Sequence, residues 1–369
     1  MESSLQYNPA LDGLRAIAAM LVVADHCRVP GFDAGFFGVD LFFVLSGFLI
    51  TRLLVDEFDT RRRINLRGFY LRRFLRLSPP LLLMLAAYIA FAPGAWPQFS
   101  AWAHIRDAGL AAFYLSDYSL VIWHHPKFLL HSWSLAVEEH FYLVWPFVVL
   151  LLTRIELRWR IALLIGIYLL ATAWRIFEYE RLDWNTTYYR FDTRMSGLVL
   201  GAILAICLPR IGRISEKTAN TAGIFACVAL FPCLAMGYWH VPGGLVWMII
   251  LVEIGAAALL IAASVQTSWV SAMLSAPPLV GIGVVSYGVY LWHYPAAAFF
   301  RSLLPWYQTM PLVLTLALAA ATVSYLAMER PLQRYRRSLN SRWREVGTEA
   351  ELAGDDRTPA RISAATTAF

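Results

Sequence analysis

A basic residue and a histidine lie eleven positions apart near the start of the chain, in the stretch Leu11-Asp-Gly-Leu-Arg-Ala-Ile-Ala-Ala-Met-Leu-Val-Val-Ala-Asp-His26. Crossing a bilayer takes about 20 helical residues. Only nine apolar residues separate Arg15 from Asp25, so a spanning helix must include Arg15 or His26, and we expect both. Helical geometry places the two side chains about 16 Å apart on nearly the same face. Ionisable groups in a membrane are usually functional.

The alternative for this stretch is a cleaved signal peptide or an interfacial anchor. Against it, the apolar run ends in Asp25-His26 and not in a small-residue cleavage site.

Two further arginines extend the basic end of this pattern. Arg73 and Arg76 are three positions apart, hence neighbours on one helix face. Guanidinium groups bind phosphate in a bidentate manner. Simple anchoring by positive charge is the alternative. Because Arg15 is expected at the same depth, the pattern favours a phosphate-rich ligand that enters from the cytoplasm.

A second polar layer is expected in the outer half of the membrane, contributed by five helices. His131, Ser134 and Glu138 are three and then four residues apart, a spacing that places them on one face of a helix. A histidine near carboxylates suits general base catalysis. We predict His26 as the base, with Glu138 orienting or charge-balancing it and Asp40 as second candidate. The supporting or acceptor-binding residues are Asp25, Ser46, His131, Ser134, Glu139, Arg190, Asp192, Arg194, Tyr290 and His293. Structural polar packing is the alternative for this layer.

The composition is that of a membrane protein. Of 369 residues, 59% are hydrophobic and only 15% are charged, and the mean hydropathy is +0.55; soluble domains are about 25% charged. The net charge of +6 comes from arginines in short loops, which argues for membrane topology and against nucleic-acid binding. The four cysteines have no metal-ligand spacing, and we expect no metal.

The hydrophobic pattern predicts an all-α polytopic membrane protein with about ten transmembrane helices. The expected spans are 11–28, 36–54, 72–92, 132–152, 160–177, 191–208, 219–238, 244–264, 280–300 and 310–328. Residues 93–131 are predicted to hold one re-entrant or interfacial segment. Counting a full span there would move later arginine clusters outside. The arginine-rich loop 55–76 is then cytoplasmic, as are both termini, in a multi-pass protein of the cell membrane. Residues 1–337 form the membrane domain, and 338–369 are predicted to be a disordered cytoplasmic tail.

At these residues the sequence resembles the acyltransferase-3 family of integral membrane acyltransferases. The family's basic residue, ten-residue spacer and histidine match Arg15 and His26, and its Arg-x-x-Arg motif matches Arg73 and Arg76. Four further blocks match in order, over roughly residues 8–337: Phe37-Gly-Val-Asp-Leu-Phe-Phe-Val-Leu-Ser-Gly-Phe48, Trp133-Ser-Leu-Ala-Val-Glu-Glu-His-Phe-Tyr142, Tyr290-Leu-Trp-His-Tyr-Pro295 and Glu329-Arg-Pro331. His140 departs from the glutamine expected there.

The resemblance implies transfer of an acyl group, usually acetyl, from acyl-CoA to a hydroxyl of a glycan or glycosylated acceptor. Acyl-CoA would be the donor co-substrate, with its phosphates at Arg15, Arg73 and Arg76. A covalent acyl-histidine relay is a variant of the same chemistry. The alternative from another class is a proton-coupled transporter or flippase, which also needs buried ionisable residues. The acceptor, the acyl length and the oligomeric state stay open.

Overall fold

The computed structural model describes residues 7–237 and 242–332, and the regular structure within these ranges is helical. The predicted tail, 338–369, lies outside the described residues. The α-helices are α1 (Pro9–His26), α2 (Gly38–Arg61), α3 (Leu66–Ala95), α4 (Ala101–Ala112), α5 (Ser116–Trp123), α6 (Ser132–Leu152), α7 (Leu157–Arg181), α8 (Trp184–Tyr189), α9 (Phe191–Arg194), α10 (Ser196–Cys207), α11 (Glu216–Met236), α12 (Ile249–Ser264), α13 (Trp269–Leu274), α14 (Pro277–Val284), α15 (Ser286–Phe300) and α16 (Trp306–Ser324).

The prediction of an all-α polytopic membrane protein is confirmed. Each predicted span coincides with helical structure, and within the described ranges seven helices are long and apolar enough to cross a membrane. The remaining three predicted spans are not single, long apolar helices. α1 carries charged residues, the sixth span is split into α9 and α10, and the ninth is split into α14 and α15. These irregular helices hold much of the polar chemistry.

The predicted re-entrant region is a hairpin of the two short helices α4 and α5. They contain 12 and 8 residues, which gives lengths of about 18 and 12 Å, too short to span a bilayer. The hairpin packs against α3 and α6. Asp117 of α5 is fully buried, and its Oδ2 lies 3.0 Å from Nδ1 of His140 on α6. The residue that departs from the family pattern therefore contacts the hairpin.

Helix α2 is the centre of the bundle, and α10 crosses it closely. A Cβ added at Gly47 would lie 1.9 Å from the Leu198 carbonyl oxygen, and one at Gly201 would lie 2.0 Å from the Val44 carbonyl oxygen. Small residues at such crossings let helix backbones approach where apolar burial gives little driving force. The peripheral helices α3, α7, α11 and α16 leave most of their apolar surface exposed, as expected of surfaces that face lipid.

The two ends of the bundle are defined by α1. At its start, the Asn8 side chain donates to the Ala263 carbonyl 2.8 Å away, at the end of α12. At its end, Arg301 donates to the His26 carbonyl at 3.3 Å, at the end of α15. We call the first end the arginine side, after Arg15, and the second the histidine side, after His26. Helices α1 and α15 therefore run in parallel, which brings their histidines to one level.

Candidate active site

A histidine pair lies at the histidine side, between α1 and α15. Nδ1 of His26 is 2.9 Å from Nε2 of His293. Nδ1 of His293 faces two main-chain carbonyl oxygens, of Tyr290 at 2.7 Å and Val289 at 3.2 Å. Since a carbonyl only accepts, Nδ1 of His293 carries a proton. With both rings neutral, Nε2 of His293 then accepts a hydrogen bond from His26, and Nε2 of His26 keeps a free lone pair.

In this arrangement Nδ1 of His26 carries the proton and points at His293. Its Nε2 is therefore the unprotonated nitrogen that can act as a base, and His293 fixes the orientation of the ring. Sequence reasoning assigned that orienting role to a carboxylate, whereas the structure brings a second histidine to His26. His293 is fully buried and bound to the backbone of its own helix turn, so its ring position is fixed. A neutral imidazole held this way accepts a proton at Nε2.

Aromatic rings enclose the pair and join it to α6. The His131 ring stacks on Tyr294 with centroids 5.0 Å apart and lies 5.6 Å from the His293 ring. Tyr294 in turn meets the edge of the His26 ring at 4.8 Å. Arg301, which the sequence analysis missed, lies 5.7 Å from the Tyr294 ring centre and binds the His26 carbonyl. The histidine cluster, defined here as His26, His131 and His293, thus has a cation at its outer edge.

A pocket opens between α1, α2, α3, α6 and α15, and it encloses about 730 Å³ of space including its mouth. All three arginines predicted as phosphate ligands line it: Arg15, Arg73 and Arg76. Arg73 lies flat on the Tyr142 ring, with its guanidinium carbon 3.8 Å from the centroid. The Nε of Arg73 is buried and has no hydrogen-bond partner among the described residues. Positions nearly 60 residues apart in the chain therefore converge on one basic pocket.

Glu138 lies in this pocket and not beside His26. It is close to Arg73 and Arg15 and within hydrogen-bonding reach of Ser46 and Tyr142. The position of Glu138 along α6 explains why it does not lie beside His26. Glu138 follows His131 by seven residues, which keeps it on the same face but moves it about 10 Å toward the arginine side. Its carboxylate is thus placed to balance the arginines, whereas the sequence analysis placed it with His26.

Ser134 and Tyr290 connect the pocket to the histidine cluster. Both line the pocket, and their hydroxyl oxygens are 2.5 Å apart. The Tyr290 ring lies 5.4 Å from the His293 ring and 5.5 Å from the His131 ring. Tyr290 therefore has the pocket on one side and the histidine cluster on the other.

Asp40 is not brought to His26. Arg194 donates to its Oδ1 at 2.8 Å, and both side chains are almost completely buried. The Arg194 guanidinium also lies over the Tyr188 ring at 4.5 Å and the Trp133 ring at 5.5 Å. These contacts form a buried ion pair that links α2 to α9, and neither residue lines the pocket.

A second buried ion pair lies nearby and was missed from the sequence. Arg175 of α7 and Glu253 of α12 are 3.3 Å apart and fully buried, and Ser196 hydrogen-bonds to both. Tyr168 donates to the other carboxylate oxygen of Glu253 at 3.1 Å. Each charge interrupts an otherwise apolar predicted span, and that intramembrane position was the available signal.

The remaining predicted residues lie outside both the pocket and the histidine cluster. Arg190 pairs with Glu178 at 2.5 Å and with Asp192, which also accepts from Trp174 at 2.6 Å. Asp25 lies near Asp33 and Arg301. Glu139 is largely buried near Arg73 and His140. Ser46, by contrast, lines the pocket and hydrogen-bonds to Tyr142. The sequence analysis did not select Tyr142 as a site residue.

These features define an integral membrane protein with a basic pocket near a buried histidine pair. The chain belongs to the acyltransferase-3 family: residues 8–329 match the family's acyltransferase domain.

Named relatives agree with that membership. The chain is 34% identical over 318 residues to peptidoglycan O-acetyltransferase OatA of Listeria monocytogenes, covering 79% of this chain and 50% of that protein. It is 33% identical over 355 residues to O-acetyltransferase OatA of Staphylococcus aureus, covering 90% of this chain and 58% of that protein. The chain thus spans a little over half the length of these relatives. No solved structure matches it.

From the buried Asp40–Arg194 ion pair we predict that Asp40 stabilises the fold and takes no part in the chemistry. Asp40→Ala leaves Arg194 buried without its carboxylate, which typically destabilises a protein by about 3–5 kcal/mol. We expect a large fall in melting temperature in detergent. The control is Glu156→Ala, because Glu156 pairs with Arg158 at the surface, where both side chains are mostly exposed and such pairs contribute little. An Asp40→Ala protein with normal thermal stability would contradict the structural role.

Proposed function

We propose that the chain is a membrane O-acyltransferase that moves an acyl group, most simply acetyl, from acyl-CoA to a hydroxyl of a glycan. The observation that carries the proposal is the convergence of Arg15, Arg73 and Arg76 on a pocket that is also lined by Tyr290. The Tyr290 ring packs against His293, the partner of His26. Family membership supports acyl transfer. The name of the Listeria relative, a peptidoglycan O-acetyltransferase, favours a cell-wall glycan as the acceptor class.

The basic pocket suits the donor because coenzyme A is a polyphosphate with a long, thin arm. Its phosphates would bind the guanidinium groups at the arginine side, where charge-assisted bidentate contacts are strong. The arm would then extend along the pocket past Ser46 and Leu135 toward Tyr290, which all line it. The carboxylate of Glu138 would hold the empty arginines in place until phosphate replaces part of that interaction.

The chemical step uses the free lone pair on Nε2 of His26. This nitrogen takes the proton of the acceptor hydroxyl as its oxygen attacks the thioester carbon. The C–S bond then breaks, and the thiolate leaves with the proton returned from His26. His293 keeps the ring in the reactive tautomer throughout. In the relay variant, Nε2 attacks the thioester first and an acyl-histidine passes the group to the acceptor.

An acyl-transfer assay separates this proposal from a transporter or flippase. Purified protein is incubated with acetyl-CoA and an extract of cell-wall glycans, and products are examined by mass spectrometry. Only the enzyme adds the mass of an acetyl group to an acceptor. Transport of a glycan across vesicles with no mass change would overturn the proposal.

We propose that the arginine side faces the cytoplasm, which places both termini there. The distribution of arginines in the loops motivates this orientation. A reporter fused at Pro126, beyond the α4–α5 hairpin, should be extracytoplasmic, whereas one fused after Arg337 should be cytoplasmic. The reverse result for both fusions would place the basic pocket on the outside and exclude a cytoplasmic donor.

Replacing Arg73 should weaken donor binding specifically. Loss of a charge-assisted contact to phosphate costs about 1.5–3 kcal/mol, so Arg73→Ala should raise the KM for acyl-CoA roughly ten- to a hundredfold. Arg73→Lys should restore binding only in part, because lysine lacks the planar fork. The matched control is Arg72→Ala, since Arg72 is adjacent in α3 but pairs with Glu57 outside the pocket. Equal effects of Arg72→Ala and Arg73→Ala would count against the phosphate role.

Removing the base should stop turnover without affecting donor binding. General base catalysis contributes about 10²–10⁴ in rate, so His26→Ala should lose nearly all activity. His293→Ala should lose less, because the base remains but its orientation does not. His124→Ala, in an exposed turn, is the control. Trapping with labelled acyl-CoA and no acceptor leaves label on the protein only in the relay variant. Near-normal turnover in His26→Ala would make the assignment wrong.

A further inference from the structure

Two hydroxyl groups at the end of the pocket share one carbonyl oxygen. The Tyr290 hydroxyl donates to the His131 carbonyl oxygen at 3.0 Å, and the Ser134 hydroxyl approaches the same oxygen at 3.2 Å. The two hydroxyl oxygens are 2.5 Å apart. Both side chains are at most 6% exposed, yet both line the pocket. Because each hydroxyl has one proton, Ser134 donates to the Tyr290 oxygen while Tyr290 donates to the carbonyl, and both O–H groups lie beside one trigonal carbonyl oxygen.

Acyl transfer needs that kind of donor pair. When a nucleophile attacks a thioester, the carbonyl oxygen gains negative charge, and fixed donors in a dry site stabilise it more than water does. Hydroxyl groups of neutral side chains suit this purpose in a membrane, because they add no charge that must be compensated in the empty state.

The hydroxyls of Ser46, Tyr142 and Tyr287, which also line the pocket, are less well placed. Tyr142 bonds to Ser46 beside the carboxylate of Glu138, where a second negative charge would be repelled. Tyr287 donates to the Leu77 carbonyl of α3 at 2.7 Å, away from the histidine cluster. Ser134 and Tyr290 adjoin the cluster, since the Tyr290 ring packs against both His131 and His293.

We propose that the hydroxyls of Ser134 and Tyr290 form the oxyanion-binding site of the reaction, an inference that rests on the proposed function. As the acceptor oxygen attacks and its proton passes to Nε2 of His26, the carbonyl π electrons move onto oxygen. The two O–H groups turn from each other and from the His131 carbonyl to this oxyanion, so that each donates one hydrogen bond to it. When the intermediate collapses, the C–S bond breaks, the thiolate leaves with the proton from Nε2 of His26, and the hydroxyls return to their resting contacts.

The test uses Tyr290→Phe, Ser134→Ala and the double variant in the full chain. Removing one oxyanion donor typically lowers kcat about 10²–10³-fold, so each single variant should show that loss with the KM for acetyl-CoA unchanged within about twofold. The control is Tyr70→Phe, which removes a hydroxyl that donates to the Leu143 carbonyl at 2.7 Å outside the pocket and should leave kcat unchanged. Melting temperatures are measured for all four variants.

A spectroscopic measurement separates the oxyanion role from simple packing. Acetyl-CoA labelled with ¹³C at the carbonyl should show a downfield NMR shift on binding, because hydrogen bonds polarise the carbonyl. This shift should shrink in Tyr290→Phe and persist in Tyr70→Phe. Unchanged kcat and an unchanged carbonyl shift in both single variants would overturn the oxyanion assignment while transfer by the wild type still supports the proposed function. A polarised carbonyl with no acyl transfer to any glycan would instead overturn the function alone.

Discussion

The high cost of charge inside a membrane determines how this bundle is built. A buried ion that lacks a partner loses several kcal/mol of hydration, so every interior charge must be paired or must face a polar cavity. The pairs Arg194–Asp40 and Arg175–Glu253 follow the first solution and lie outside the pocket. Arg73 follows the second, because it lines the pocket. The same residue type thus has a structural role in one place and an available binding surface in another.

Helix α6 connects the two halves of the site. His131, Ser134 and Glu138 share one face, so a single helix supplies a ring to the histidine cluster, a hydroxyl at the boundary and a carboxylate to the basic pocket. Each step along this face is a few ångströms in depth. The order from Ser134 to Glu138 matches the order in which the thioester and the phosphates of a bound donor would lie.

The sequence predicted the helices and the basic pocket well, because both depend on local signals. Apolar runs locate the spans, and guanidinium groups near one membrane face indicate the pocket. It was harder to predict which polar side chains contact one another, because these contacts depend on how the helices pack, and residue spacing in the sequence does not indicate that packing. Glu138 and Asp40 were assigned to His26 by type and approximate depth, but α15 supplies His293 instead. Arg175 and Glu253 find each other across α7 and α12, a contact that no local pattern indicates.

Helix α1 has a consequence for how the sequence of this region can vary. Arg15 reaches the pocket and His26 the histidine pair from one uninterrupted helix, so the residues between them act as a rigid ruler. Exchanging one buried apolar residue for another of similar volume preserves that ruler. Inserting a single residue turns His26 by about 100° and moves it about 1.5 Å, which separates the base from His293. The number of residues in this segment is therefore under tighter constraint than their identities.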